Sequence, residues 1–202
     1  MGSLAMLLSY RRFFVRERVA MLKLTDTYDI FDPATNAQIG VAKEEPPTWA
    51  KFARLMVNKR FLPTKIHIYE DEADGPIFSL SKKPGFLRVS VVVEDARGNE
   101  FGTLRSKVLS FGGAFTVLRA DGTEVATVKG DWKGWNFRLL DEHGNELGVV
   151  TKQWAGLGKE FFTSADNYVI ALDDSEGTSA DPKLAALLLA AGLAIDIVFK
   201  ER

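Results

Sequence analysis

The stretch 181–199 constrains the fold more than any other part of the sequence. It reads DPKLAALLLAAGLAIDIVF, and after Lys183 its one charged residue is Asp196. A helix that is apolar on every side must be buried, either in lipid or inside a protein. Asp181 is a favourable N-cap and Pro182 suits the first helical position, so we expect a helix to begin here.

Length and charge favour burial of this helix inside the protein over a membrane span. The apolar run from Leu184 to Phe199 is shorter than the roughly 20 residues that a bilayer requires. Asp196 adds a cost of insertion into lipid, and the many alanines together with Gly192 make the helix thin. We therefore expect the helix to fill the lumen of a β-barrel. Asp196, one turn from the end of the helix, should then meet water, a barrel arginine or a backbone donor.

The middle of the chain repeats a β-hairpin, in which two alternating apolar strands flank a polar turn. Three segments share this pattern: 91–107, 115–131 and 137–153. Two earlier segments are degenerate copies: 28–43 and 66–82. The turn glycines Gly98, Gly122 and Gly144 supply the positive φ that tight turns need. Counting strands gives ten to twelve, enough to close an antiparallel barrel.

These features predict a mainly β chain that forms a closed antiparallel barrel around a central hydrophobic C-terminal helix. We expect one domain over residues 1–202, with a helical insertion at 44–65 and the axial helix at 181–199. Within the insertion, four residues fall on one helical face. They are Trp49, Phe52, Ala53 and Met56.

Several stretches carry a family resemblance through their order along the chain. FFVRERVAMLKLTDTYDIFD comes first, LRSKVLSFGGAFTVL and VVTKQWAGLGKEFFTSADNYVIAL follow, and LLLAAGLAIDIVFKER comes last. Together they resemble the tubby C-terminal-like superfamily, specifically its LURP-one-related and phospholipid-scramblase-related proteins. The resemblance implies a 12-stranded antiparallel barrel around a central hydrophobic helix. It also points to lipids, because tubby-like domains bind phosphoinositides and scramblase-like members are associated with calcium and lipid movement.

The resemblance further implies a candidate calcium site in the segment 164–173. Asp166, Asn167 and Asp173 could supply some of the six to eight oxygen ligands that calcium takes. Ser164 stands where the scramblase segment has an acid, which weakens the match. Apart from calcium we expect no cofactor.

A basic stretch that contains aromatic residues is the candidate lipid-binding site. The residues are Lys51, Arg54, Lys59, Arg60, Lys65 and Trp49, and no acidic residue lies between Lys51 and Lys65. Basic side chains beside aromatic ones suit the surface of an anionic membrane. In the alternative interpretation the aromatic residues form a lid on the barrel and the basic residues are only solvated.

The sequence shows no catalytic motif, so we expect a protein that is not an enzyme. No Ser, Cys or metal-hydrolase signature occurs, and His67 lies between Ile66 and Ile68 of a strand, so its side chain should face outward. The absence of cysteine fits the cytosol. A net charge of −1 gives no support to nucleic-acid binding.

We therefore expect a cytoplasmic monomer of the tubby-like, LURP-one-related class. It should act as a non-catalytic binding module for anionic phospholipid or phosphoinositide, peripheral at the membrane, with anionic membrane lipid or a protein as its partner. One alternative is a scramblase-like, calcium-responsive membrane protein. Another is a small-molecule carrier that uses the barrel lumen.

Overall fold

The chain forms a closed antiparallel β-barrel with a helix inside it. The computed structural model describes residues 6–18, 25–53, 56–57, 62–83, 89–106, 114–131, 135–152, 167–173 and 181–199. Within these ranges, each of twelve strands pairs with the next one along the chain, and β1 pairs with β12 to close the barrel. The strands are β1 (Arg12–Glu17), β2 (Thr27–Phe31), β3 (Gln38–Glu44), β4 (Thr64–Tyr69), β5 (Phe78–Lys83), β6 (Ser90–Asp95), β7 (Glu100–Ser106), β8 (Phe115–Arg119), β9 (Glu124–Asp131), β10 (Asn136–Leu140), β11 (Glu146–Thr151) and β12 (Tyr168–Leu172). The helices are α1 (Thr48–Ala53) and the axial helix (Pro182–Phe199), and Met6–Ser9 and Glu72–Asp74 form 3-10 turns.

The hairpin repeat predicted from the sequence is confirmed. The three clear copies form β6–β7, β8–β9 and β10–β11, and the two degenerate copies form β2–β3 and β4–β5. Gly98, Gly122 and Gly144 have φ values of 82°, 86° and 85°. These values lie in the left-handed region that L side chains rarely adopt, which explains why glycine closes these turns.

Antiparallel pairing sends alternate connections to opposite ends of the barrel, and the two ends differ in kind. We name the first the turn end, because it carries the turns of the five predicted hairpins together with the connection from β12 to the axial helix. Its connections are 32–37, 70–77, 96–99, 120–123, 141–145 and 173–181. We name the second the loop end, which carries the other six connections. They are 18–26, 45–63, 84–89, 107–114, 132–135 and 152–167.

The axial helix lies in the barrel lumen, as the sequence predicted. Its side chains from Ala185 to Asp196 are buried, and it contacts strands on opposite sides of the barrel, among them β5 to β8, β11 and β12. Asp181 caps its first turn by accepting the N–H of Lys183 at 2.9 Å, and the Asp181 carboxylate also pairs with Arg119 at 2.9 Å. The helix therefore begins at the turn end and runs toward the loop end. Among the described residues, no helix combines the length and apolarity that crossing a bilayer would take.

Two glycines allow the axial helix and the barrel wall to approach closely. A Cβ at Gly102 of β7 would lie 2.2 Å from Cδ2 of Leu187 and 2.7 Å from the carbonyl oxygen of Leu118. A Cβ at Gly192 of the helix would lie 2.5 Å from Cδ1 of Ile170. Such contacts are too short for packed carbon atoms, so each glycine leaves room for the side chain that faces it.

The 3-10 turn Met6–Ser9 packs at the turn end and contacts the axial helix. Leu7 is fully buried there, and the N–H groups of Met6 and Leu7 donate to the carboxylate of Glu70. No local sequence pattern predicted a structural role for this short apolar run. Its partners are distant in sequence, because the Leu7 side chain lies beside Gly40 of β3 and the hydrogen-bond acceptor is Glu70.

The predicted insertion at 44–65 contains one helix among its described residues. This helix spans Thr48–Ala53, while Glu44 belongs to β3 and Lys65 to β4. A helix of six residues makes fewer than two turns, so Met56, seven positions after Trp49, lies beyond it. Two residues of the predicted apolar face are exposed, Trp49 at 61% and Met56 at 92%, whereas Ala50, outside that face, is fully buried. The side chain of Phe52 lies outside the described residues.

Candidate functional site

The exposed apolar side chains concentrate in one short stretch at the loop end. Among the described residues, the large hydrophobic side chains classed as exposed are Met6, Trp49, Met56 and Val57. Three of these four lie within the ten residues from 48 to 57. Large exposed apolar groups that cluster in this way mark an interaction surface more often than scattered single ones do.

The predicted basic residues lie beside this exposed stretch in the sequence, and the structure describes one of them fully. Lys51 lies in α1, but its side chain is outside the described residues, as are Arg54, Lys59 and Arg60 entirely. Trp49, the aromatic member of the predicted set, is exposed. The lipid-binding assignment of these residues therefore stays a prediction.

Lys65 lies on the outer wall of the barrel, where it has an acidic partner. Its Nζ donates to Oε2 of Glu94 at 2.9 Å, and the hydroxyl of Ser81 donates to the same oxygen at 3.1 Å. Burial acts to raise the pKa of Glu94, but the hydrogen bonds from Lys65 and Ser81 outweigh it and lower the pKa overall. Lys65 therefore belongs to a hydrogen-bonded network across strands β4, β5 and β6.

His67 faces outward from β4, as its alternation with Ile66 and Ile68 predicted. Its Nδ1 lies 2.7 Å from Oγ of Ser79 on the neighbouring strand β5. Burial lowers the pKa of the His67 imidazole, which keeps the ring neutral at pH 7. Ser79 is only 4% exposed and lies inside a strand, so this pair offers a substrate no accessible nucleophile.

The structure describes two of the three candidate calcium ligands, Asn167 and Asp173, and they lie at opposite ends of β12. Asp166 lies outside the described residues, Asn167 is buried just before β12, and Asp173 is exposed just after it. Six residues of extended chain span about 20 Å, so one ion cannot contact both Asn167 and Asp173. Among the described residues, no group of three or more His, Cys, Asp or Glu side chains could hold a metal ion. Calcium binding in the segment 164–173 stays a prediction.

Asp196 of the axial helix has a partner that the sequence analysis did not consider. Oδ2 of Asp196 accepts a 2.7 Å hydrogen bond from the hydroxyl of Tyr28 on β2, and the Asp196 side chain is 2% exposed. Burial, followed by the nearby charge of Asp196, raises the pKa of Tyr28 well above its ordinary value. Of the three surroundings expected for Asp196, water, a barrel arginine or a backbone donor, exposure to bulk water is excluded by this burial.

A small apolar cavity lies between the axial helix and the wall near the loop end. Its volume is about 10 Å³, and it is lined by Val89, Val91, Leu104, Ser106, Phe115 and Ala194. A volume of this size holds at most one water molecule. This cavity gives the small-molecule carrier alternative no support.

Comparison with known proteins finds a matching family model and partial matches to individual relatives. A family model described as Scramblase matches residues 25–202. Phospholipid scramblase 1 of Mus musculus is 37% identical over 68 residues, which cover 34% of this chain and 19% of the relative. A phospholipid scramblase family protein of Schizosaccharomyces pombe is 30% identical over 88 residues, which cover 43% of this chain and 23% of the relative. The matched part thus spans about a fifth of the length of these curated relatives. No solved structure gives a significant match.

Proposed function

This chain belongs to the scramblase family, and we propose that it is a non-catalytic module that binds anionic phospholipid, with phosphoinositides among the candidate ligands. The observation that carries the proposal is the exposure of Trp49, Met56 and Val57 within a stretch rich in lysine and arginine. The names of the matched relatives, which are phospholipid scramblases, support a phospholipid as the ligand.

The physical chemistry of this stretch suits the surface of a bilayer. Tryptophan favours the boundary between lipid headgroups and acyl chains, and burying apolar side chains there is favourable. Each lysine or arginine near an anionic surface contributes about 1 kcal/mol of attraction. The stretch from Lys51 to Lys65 contains five such residues and no acidic residue, and one of the five, Lys65, pairs with Glu94 of β6.

Peripheral binding at a cytoplasmic membrane surface is part of this proposal. Anionic lipids give such a surface a negative potential, which attracts basic segments over roughly one Debye length. A protein held mainly by charge leaves the membrane when the salt concentration rises. Washing isolated membranes with high salt should therefore release the chain.

Family membership favours a second candidate function, a calcium-responsive protein that moves phospholipid between leaflets. This candidate differs from simple binding in a measurable way. If this candidate is right, vesicles that contain the purified chain and a fluorescent phospholipid should lose their lipid asymmetry when calcium is added. The loss is measured by chemically quenching the fluorescent lipid in the outer leaflet. Binding without such lipid movement supports the first candidate, and calcium-dependent movement supports the second.

The direct test of the binding proposal is charge reversal in the candidate stretch. We expect the Lys59→Glu/Arg60→Glu double variant to lose at least about tenfold in affinity for vesicles of phosphatidylcholine and phosphatidylserine in a three-to-one ratio. Trp49→Ala should weaken binding while leaving the net charge unchanged. The matched control is Arg97→Glu/Lys183→Glu, which makes the same change in net charge at the turn end. Equal binding by the wild-type chain and the Lys59→Glu/Arg60→Glu variant would contradict the proposed site.

A further inference from the structure

The amino-acid sequences of the connections at the two ends of the barrel differ sharply in charge and in aromatic content. The turn-end connections together contain twelve acidic residues, one basic residue and no aromatic residue. The loop-end connections contain eleven basic residues against four acidic ones, together with ten aromatic residues. All four tryptophans of the chain belong to the loop-end set: Trp49, Trp132, Trp135 and Trp154.

Barrel closure does not require this separation. Either end needs only connections of sufficient length, and in an antiparallel barrel successive connections alternate between the two ends. A chain with randomly placed charges would therefore give both ends a similar composition. The unequal distribution of charge and of aromatic residues adds nothing to the pairing of the strands. We therefore relate it to what each end of the barrel faces.

We propose that the chain docks end-on, with the loop end against the surface of an anionic phospholipid bilayer and the turn end facing away. The inference rests on the proposed function. It extends that function from the 48–65 stretch, which holds Trp49 and the five basic residues from Lys51 to Lys65, to the whole end of the barrel. Basic residues are attracted to the surface, and tryptophans favour the headgroup boundary. The acidic turns are repelled by the same surface, so the charge separation both binds and orients the barrel.

Two described side chains, remote in sequence from the 48–65 stretch, extend the basic character of the loop end. Lys83 ends β5 and Arg105 lies next to the end of β7, and both are exposed. Each is in register with Ser90 of β6, so the two residues lie two strand spacings apart, about 10 Å. Among the described residues neither has an ion-pair partner, so both charges remain available to a surface.

The test compares charge reversal at the two ends of the full-length chain. The loop-end variant is Lys83→Glu/Arg105→Glu, and the matched turn-end variant is Arg97→Glu/Lys183→Glu. A strand of six residues spans about 20 Å, which exceeds two Debye lengths at physiological salt. On vesicles of phosphatidylcholine and phosphatidylserine in a three-to-one ratio, we expect at least about a tenfold loss of affinity for the loop-end variant. The turn-end variant should bind within about twofold of the wild type, because its charges are screened from the surface.

Lipid contact supplies a second readout, because every tryptophan of the sequence falls in a connection assigned to the loop end, and Trp49 is exposed. Phospholipids brominated on the acyl chain should quench most of the tryptophan fluorescence of the bound wild-type chain. All four substituted side chains are exposed, so we expect each variant to fold. Circular dichroism and the melting temperature check this.

The outcomes separate this inference from the proposed function on which it rests. If both charge variants lose affinity equally, the chain binds without a fixed orientation and end-on docking is wrong. If neither loses affinity while Lys59→Glu/Arg60→Glu does, binding uses the 48–65 stretch alone, and again end-on docking is wrong. If the wild-type chain does not bind these vesicles at all, the proposed function itself is wrong.

Discussion

The hydroxyl of Tyr28 donates a 2.7 Å hydrogen bond to Oδ2 of Asp196, joining β2 to the axial helix inside the barrel. Asp196 is buried, and a carboxylate taken out of water is costly unless polar groups replace its hydration. The bond therefore stabilises a charge that an apolar helix would otherwise disfavour. It also anchors the far end of the helix, while Asp181 and Arg119 anchor its beginning.

We predict that Tyr28→Phe destabilises the fold by about 1.5–3 kcal/mol, because a buried carboxylate loses a donor. Urea unfolding at pH 7 measures the change. The matched control is Tyr69→Phe, which removes a hydroxyl bonded to Glu45 on the exposed outer wall. We expect the control to cost less than about 0.5 kcal/mol. Equal costs for the two variants would contradict a special role for the Tyr28–Asp196 bond.

The same tyrosine should make stability depend on alkaline pH. Burial and the charge of Asp196 raise the folded-state pKa of Tyr28 well above its ordinary value of 10.0. The stability linked to this group is therefore fully present below about pH 10 and is lost as the pH rises through the folded pKa. Unfolding free energies measured from pH 8 upward should fall more steeply for the wild type than for Tyr28→Phe. Parallel curves would show that Tyr28 does not titrate differently in the folded and unfolded chain.

Aspartates in the turns should make the protein less stable as the pH falls, whereas Tyr28 makes it less stable as the pH rises. Oδ1 of Asp95 accepts the N–H groups of Asn99 and Arg97, each at 2.9 Å. These bonds, led by the one from Asn99, lower the pKa of Asp95 below its ordinary value of 3.8. The linked stability is present above that value and is lost as the pH falls through the folded pKa. Asp95→Ala should therefore be less stable than the wild type at pH 7, with the difference shrinking in acid.

The control for this acid-limb prediction is Asp74→Ala, at an exposed aspartate of the turn 70–77. Chemical unfolding at several pH values between neutrality and strong acid gives both comparisons. A difference between Asp95→Ala and the wild type that stays constant down to the lowest pH would show that the carboxylate bonds are not its cause.

The close approach of Gly102 and Leu187 yields a double-mutant cycle. Gly102→Ala places a methyl group against Leu187 and the carbonyl oxygen of Leu118, so it should cost about 1–3 kcal/mol. Leu187→Ala removes a fully buried side chain and should cost about 2–5 kcal/mol. We expect the double variant to cost less than the sum of the two, because truncating Leu187 relieves part of the clash. Strict additivity would mean that the axial helix does not pack against β7 in this way.

The sequence predicted the parts of this fold that depend on neighbouring residues. Alternation placed Ile66 and Ile68 inside and His67 outside, and the turn glycines located the hairpins. The cap at Asp181 located the start of the axial helix. Each of these features follows from a local pattern, so no knowledge of distant contacts was needed.

The contacts that define the candidate sites were harder to predict, because their partners are distant in sequence. Tyr28 and Asp196 are 168 residues apart, and Lys65 and Glu94 are 29 apart. Trp49 is exposed within α1 while its neighbour Ala50 is buried, which helical periodicity did not reveal. The contrast between the two barrel ends emerges only once twelve alternating strands have sorted the connections.

Binding of the full-length chain to phospholipid vesicles tests the central claim most directly. Sedimentation should be measured with vesicles of phosphatidylcholine alone and with vesicles that also contain phosphatidylserine, each at low and at physiological salt. We predict strong binding to the anionic vesicles at low salt, weaker binding at physiological salt and little binding to the neutral vesicles. Equal binding to both kinds of vesicle, or no binding to anionic vesicles at low salt, would contradict the account.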